Sequence, residues 1–130
     1  MEEVLKFLEE SNVYYLATMD NDKPRVRPFG TINIYDNHLY IQTSKKKDVF
    51  KQIEKNPNVE LCAFKDGSWL RLSGNLVVDD RIEAKKSMLD KYPNLRGMYD
   101  EHDENTAVLY FDKGIAKISS FTSEDKVINI

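Results

Sequence analysis

Apolar and polar positions along this chain form short strand-like runs separated by turn residues, interrupted by stretches at helical spacing. Near the start, Val4, Leu5 and Leu8 make an apolar stripe in a charged segment, which predicts a helix over residues 2–10. Residues 13–19 are β-branched and aromatic and predict a strand, ended by the turn Asp20-Asn21-Asp22-Lys23. Pro24, tolerable at a strand start, opens a second strand over 25–35, and Asp36-Asn37 turns it into a third over 39–43. These three runs predict an antiparallel meander. A helix follows over 44–55, with Ser44 as its N-cap and Val49, Phe50 and Ile53 on one face, and Asn56-Pro57-Asn58 ends it.

Strands over 59–64 and 69–78 flank Asp66-Gly67, a strong hairpin signal. Asp79-Asp80 predicts the cap of a helix reaching residue 91; Pro93 breaks it, and a short helical turn follows near 95–98. Residues 106–111 and 115–121 are expected to form a hairpin turned by Asp112-Lys113-Gly114, leaving a tail from 122 either loose or docked on a partner. Six or seven strands in so short a chain predict a mainly β fold with helices: a closed or nearly closed antiparallel barrel, with the helices outside or across its ends.

Composition narrows the function. The 130 residues suit a single domain over 1–130, and 41% apolar content suits a packed core. A net charge of -3 argues against a general nucleic-acid or anionic-membrane partner. No apolar run approaches the ~20 residues that span a bilayer, and the acidic start Met1-Glu2-Glu3 has no signal-peptide pattern. The expected location is cytoplasmic. Cys62 is alone, so no intrachain disulfide forms, and its apolar surroundings predict a buried small residue rather than a nucleophile.

The richest chemistry lies in Thr43-Ser44-Lys45-Lys46-Lys47-Asp48. Three lysines at a helix start oppose the positive end of the helix dipole, a conflict removed by a bound anion. A solvated basic turn is the alternative. Arg25 and Arg27 are two apart on a strand and share a face; beside the Thr43–Lys47 turn they would make a phosphate pocket of guanidinium, ammonium and hydroxyl groups. Trp69 and Arg71 also share a face. They either pack the barrel exterior or form an aromatic-cationic patch that covers a flat ligand or joins two subunits. His38 and His102 stand apart, the acidic residues at 100–104 lack EF-hand spacing, and no zinc, nucleophile-elbow, Walker or dinucleotide pattern is present.

Several blocks together resemble the pyridoxamine-5′-phosphate oxidase-like superfamily: Pro24-Arg25-Val26-Arg27-Pro28-Phe29-Gly30, Leu39-Tyr40-Ile41-Gln42-Thr43-Ser44, Lys46-Lys47-Asp48-Val49-Phe50-Lys51-Gln52-Ile53, Asn56-Pro57-Asn58-Val59 and Trp69-Leu70-Arg71-Leu72-Ser73-Gly74. The resemblance covers about 13–121. It implies a split barrel of the FMN-binding type, with FMN at a homodimer interface. Arg27 or Arg25, with Pro28 beside them, and Thr43, Ser44, Lys46 and Lys47 would then anchor phosphate and ribityl. Gln42 or a nearby backbone N–H would meet the ring edge, and Trp69 and Arg71 would arrive from the partner subunit. The family's serine-arginine-lysine block is not matched at Lys47-Asp48-Val49. The tail over 122–130 holds neither the arginine nor the histidine that binds pyridoxal substrates, which points away from vitamin B6 oxidation.

The nearer likeness is to small general-stress and nitroimidazole-resistance members. Since relatives use deazaflavin or haem, the resemblance leaves those cofactors open. The implied function is an FMN-dependent oxidoreductase acting on an unidentified small molecule. The alternatives are a non-catalytic flavin carrier or sensor, and a structural domain with a vestigial site. The catalytic residues are not assigned; Tyr99 and His102 are the candidates for acid-base work near a site mouth.

Overall fold

A computed structural model describes all 130 residues. In chain order the elements are α1 (Glu2–Ser11), β1 (Tyr14–Asp20), β2 (Lys23–Phe29), β3 (Asn33–Tyr35), β4 (His38–Ser44), α2 (Asp48–Lys55), β5 (Asn58–Lys65), β6 (Ser68–Asp79), α3 (Ile82–Lys91), a short 3-10 turn (Pro93–Gly97), β7 (Thr106–Ser120) and β8 (Lys126–Asn129). The strands form one antiparallel sheet in the order β2-β1-β5-β6-β7-β4-β3, with β8 added to β7.

That order forces the sheet to curl. A flat path of seven strands is about 29 Å wide at ~4.8 Å per strand. Its two edges, β2 and β3, are separated only by Gly30-Thr31-Ile32. Four Cα steps of ~3.8 Å span at most about 15 Å. The edges must therefore approach, yet they do not pair, and the barrel is split between them. Leu16, Leu39, Ile41, Leu61, Leu70, Leu72 and Leu109 fill its interior at 0% exposure. Val49, Phe50 and Ile53 from α2 and Val4 and Leu8 from α1 join the same core. A smaller cluster of Tyr40, Ala84, Met88 and Val108 seats α3.

The eight-stranded sheet with three helices is the mainly β split barrel expected, but five local expectations fail. The run 25–35 is two strands on opposite sheet edges, so the meander breaks at Gly30. There Thr31 Oγ accepts a hydrogen bond from the Gln42 amide N–H at 3.1 Å, which takes the chain across the split. The predicted 106–121 hairpin is the single strand β7. Phe111 pairs with Leu76 and Lys113 with Asn75, so Asp112 is the extra residue of a bulge that bends the strand. Turn-forming residues serve a bulge as well as a hairpin, and local composition does not distinguish them.

Ser44 stays in β4 rather than capping α2. Its hydroxyl donates to Asn105 Oδ1 at 2.6 Å and accepts from the Lys46 N–H at 3.2 Å, while Lys47 occupies the N-cap with no side-chain cap. Asp79 ends β6, and Arg81 holds the N-cap of α3, again with no side-chain cap. The tail docks on its own chain: β8 pairs with residues 115–118 of β7.

Candidate functional site: a cationic cleft at the split

The split opens into a cleft of about 230 Å³. One wall carries Arg27, Pro28 and Gly30; the other carries Gln42, Thr43 and Lys47; Leu95, Met98 and Tyr99 stand at its mouth. The edge strand β2, the end of β4 beyond its pairing with β3, and the start of α2 thus converge because Gly30–Ile32 carries the chain from β2 to the β3–β4 hairpin.

Arg27 faces inward across from Leu16, and neutral acceptors hold it. Nη1 donates to the Leu16 carbonyl at 3.2 Å and to Thr18 Oγ at 2.8 Å, and Nη2 donates to Gln52 Oε1 at 2.8 Å. Burial lowers its pKa and so does Arg25, while Asp48 acts in the opposite sense; a guanidinium stays protonated throughout. Neither Arg27 nor Lys47 has a carboxylate within ion-pair distance, whereas Arg25 pairs with Asp20 at 3.2 Å and Lys45 with Asp80 at 2.8 Å. Arg27 and Lys47 thus share one cleft, without carboxylate partners, beside a helix start that has no side-chain cap, an arrangement that suits an anion. At the cleft floor Gln42 is 6% exposed, and its side-chain oxygen and nitrogen have no partner. Leaving such a group unmet costs about 1–3 kcal/mol.

The walls are braced. The Tyr14 hydroxyl donates to the Thr31 carbonyl at 2.6 Å, and Lys91 Nζ donates to the Ile32 carbonyl at 2.6 Å. At the mouth, Arg96 ties the 3-10 turn down through Glu101 at 2.6 Å and Asp90 at 2.8 Å. The Arg96 hydrogen bond holds the Glu101 carboxyl down at about 2. A carboxylate depressed in the fold adds stability above its unfolded pKa, near 4.3, and loses it as pH falls through the folded value. The mouth should therefore loosen between about pH 4.3 and pH 2. Protection factors at Met98 and Tyr99, taken against the intrinsic amide rate at each pH, should fall over that window in the native protein, and Glu101→Gln should reduce that fall.

Of the sequence candidates, the cleft gathers Arg27, Pro28, Gln42, Thr43 and Lys47. Arg25 turns to Asp20, Ser44 is used by Asn105, and Lys46 is exposed outside the cleft. Trp69 and Arg71 lie on β6 away from it; Trp69 packs on Phe121 with ring centroids 5.1 Å apart. His102 is exposed and does not line the cleft, whereas Tyr99 does. Thr18, Gln52, Leu95 and Met98 are not among the sequence candidates: Gln52 stands in a family-like block and 95–98 in the expected helical turn, but only register and packing bring them here. On the sheet exterior, Tyr15, Val26 and Phe64 are more than half exposed, next to half-buried Trp69.

The family model described as Pyridoxamine 5'-phosphate oxidase matches residues 1–109. The chain belongs to the pyridoxamine 5'-phosphate oxidase family. It is 43% identical to a NimC/NimA family protein from Clostridium acetobutylicum, with a TM-score of 0.96 over 100% of this chain and 92% of that one. General Stress Protein 26 from Bacillus anthracis shares the family fold at 20% identity and a TM-score of 0.73, covering 98% of this chain and 97% of that one. A heme binding protein from Mycobacterium smegmatis shares it at 12% identity and a TM-score of 0.72, covering 93% of this chain and 57% of that one. No curated protein matches the sequence. No helix of the chain is long and apolar enough to cross a membrane.

Proposed function

We propose that this chain binds FMN in the cleft as a homodimer and serves as an oxidoreductase for a small molecule, with residues 1–130 acting as one unit. The observation that carries this reading is the pairing of two uncompensated cations, Arg27 and Lys47, with the orphaned Gln42 amide on one cleft. A phosphate suits the first pair, and a flavin ring edge, with both donors and acceptors, suits the second. When bound, FMN supplies the electron-transfer chemistry. The chain's own residues anchor, orient and exclude water: Arg27 and Lys47 at the phosphate, Thr43 beside them, Gln42 at the ring edge, Leu95 and Met98 across the mouth.

The cleft's size supports a dimer. About 230 Å³ is smaller than the ~300–1,000 Å³ typical of pockets that enclose a ligand of this class. A second copy seated on the exposed Tyr15, Val26 and Phe64 face would add Trp69 and Arg71 to cover what one chain leaves open. A carrier or sensor without turnover is the second reading. It is favoured by the cleft lining, which has no histidine, cysteine or carboxylate and offers only the Tyr99 hydroxyl as a neutral proton donor.

The test is the visible spectrum of the freshly purified protein, with release and identification of any ligand and the mass in solution. Flavin absorption, FMN released near one per chain and a dimeric mass are expected. A haem Soret band, or failure to take up added FMN, overturns the reading. Reduction of the bound flavin by nicotinamide cofactors separates the oxidoreductase from the carrier.

A further inference from the structure

Arg27 has five N–H donors, and neutral acceptors take three of them: the Leu16 carbonyl and Thr18 Oγ on Nη1, and Gln52 Oε1 on Nη2. Nε–H and the second Nη2–H have no partner within the protein. These two donors lie along one edge of the guanidinium plane, the edge that makes parallel hydrogen bonds to two oxygens of a phosphate or carboxylate. Thr18 is 2% exposed and its hydroxyl donates to Gln52 Oε1 at 2.6 Å, so the acceptor is itself fixed. Gln52 thereby ties α2 to β1 and β2 through one oxygen.

We propose that Gln52, with Thr18, is a positioning pair for Arg27, and that its neutrality sets the ligand class of the cleft. A glutamate would make the same contacts with comparable reach, but its charge would compensate the guanidinium. With an amide, Arg27 is oriented at no loss of charge, and its free edge is left for a terminal phosphate oxygen pair on the ligand. The pair accordingly makes the cleft discriminate between phosphorylated ligands and their uncharged alcohol counterparts. This inference rests on the anion-site reading of the same cleft and deepens it.

The experiment compares wild type, Gln52→Glu and Gln52→Met. Binding of inorganic phosphate is followed at the Arg27 Nε–H resonance by NMR, and binding of FMN and of riboflavin by fluorescence titration. Gln52→Glu keeps the contacts and is expected to fold with unchanged thermal stability or better. It should lose about 10- to 100-fold in FMN affinity, the scale of one charge-assisted hydrogen bond, with riboflavin affinity unmoved and the Arg27 signal no longer answering to phosphate. Gln52→Met frees the guanidinium and should give a smaller loss, with a broadened Arg27 signal. A merely structural glutamine would change FMN and riboflavin affinity together.

Wild-type Arg27 Nε–H that ignores both phosphate and FMN overturns the inference, as does Gln52→Glu that binds FMN like wild type. FMN binding with an unmoved Arg27 signal overturns it while leaving the flavoprotein reading intact. A phosphate response that Gln52→Glu abolishes, in a protein that takes up no FMN, supports it and removes that reading alone.

Discussion

If FMN occupies the cleft as proposed, Arg27→Ala should lower its affinity by about 1.5–3 kcal/mol, the range for a hydrogen bond to a charged group, which is a loss of roughly 10- to 150-fold. Its guanidinium is the one arginine on the cleft, has no carboxylate partner and keeps two donors free. Lys47→Ala should act in the same direction but less, because an exposed ammonium on a flexible stem is a point charge in high dielectric. Arg25→Ala should leave affinity within about twofold, since Arg25 is already paired with Asp20 and stands outside the cleft. The three variants, titrated with FMN under the same salt, rank the cations. Equal losses for Arg25→Ala and Arg27→Ala would refute the geometric assignment. Thermal stability of Arg27→Ala should fall by about 1–3 kcal/mol, because three hydrogen bonds are lost while Thr18 still donates to Gln52.

Gly74→Ala destabilises the fold by about 3 kcal/mol, the upper end of the usual overpacking cost, and lowers Tm by about 10 °C for a chain of this size. A Cβ at Gly74 would lie 2.2 Å from the Lys113 carbonyl oxygen and 3.1 Å from the Gly114 Cα, both backbone atoms. These are the residues of the β6–β7 ladder just beyond the bulge at Asp112, so relief requires the two longest strands to separate. Gly114→Ala is the control. Its Cβ would meet Leu72 Cδ1 and Ile130 Cγ1 at 2.9 Å, ends of flexible side chains that can shift, and the cost should be smaller. Chemical denaturation of both variants checks the order. A Gly74→Ala protein as stable as wild type would mean that the ladder at the bulge yields easily.

The two glycines also show why the sequence misled at this place. Asp112-Lys113-Gly114 has the residues of a turn, and a hairpin over 106–121 follows from composition alone. What decided otherwise is the partner strand: β6 is continuous from Ser68 to Asp79 and offers a paired edge along nearly the whole of β7. Ladder hydrogen bonds over that length outweigh a local turn, and the surplus residue is expelled as a bulge. Ser44 failed as a cap for a similar reason. Its hydroxyl found Asn105, which is far away in the chain and adjacent only because β4 pairs with β7.

By itself the sequence determined the number and type of most elements, because periodicity and punctuation are local: α1, the Asp66-Gly67 hairpin, the end of α2 at Pro57 and the break of α3 before Pro93 all follow from neighbours in the chain. It also determined the family, since the order and spacing of several blocks together carry that information. It marked Arg25, Arg27 and the lysine turn as candidates for an anion site without saying which cations converge. Only the tertiary structure decided that. Register placed Arg27 over Thr18 and Gln52 while Arg25 met Asp20, and the three residues from Gly30 to Ile32, too short to span an open sheet, folded the edges together into a cleft that no segment of the chain contains alone.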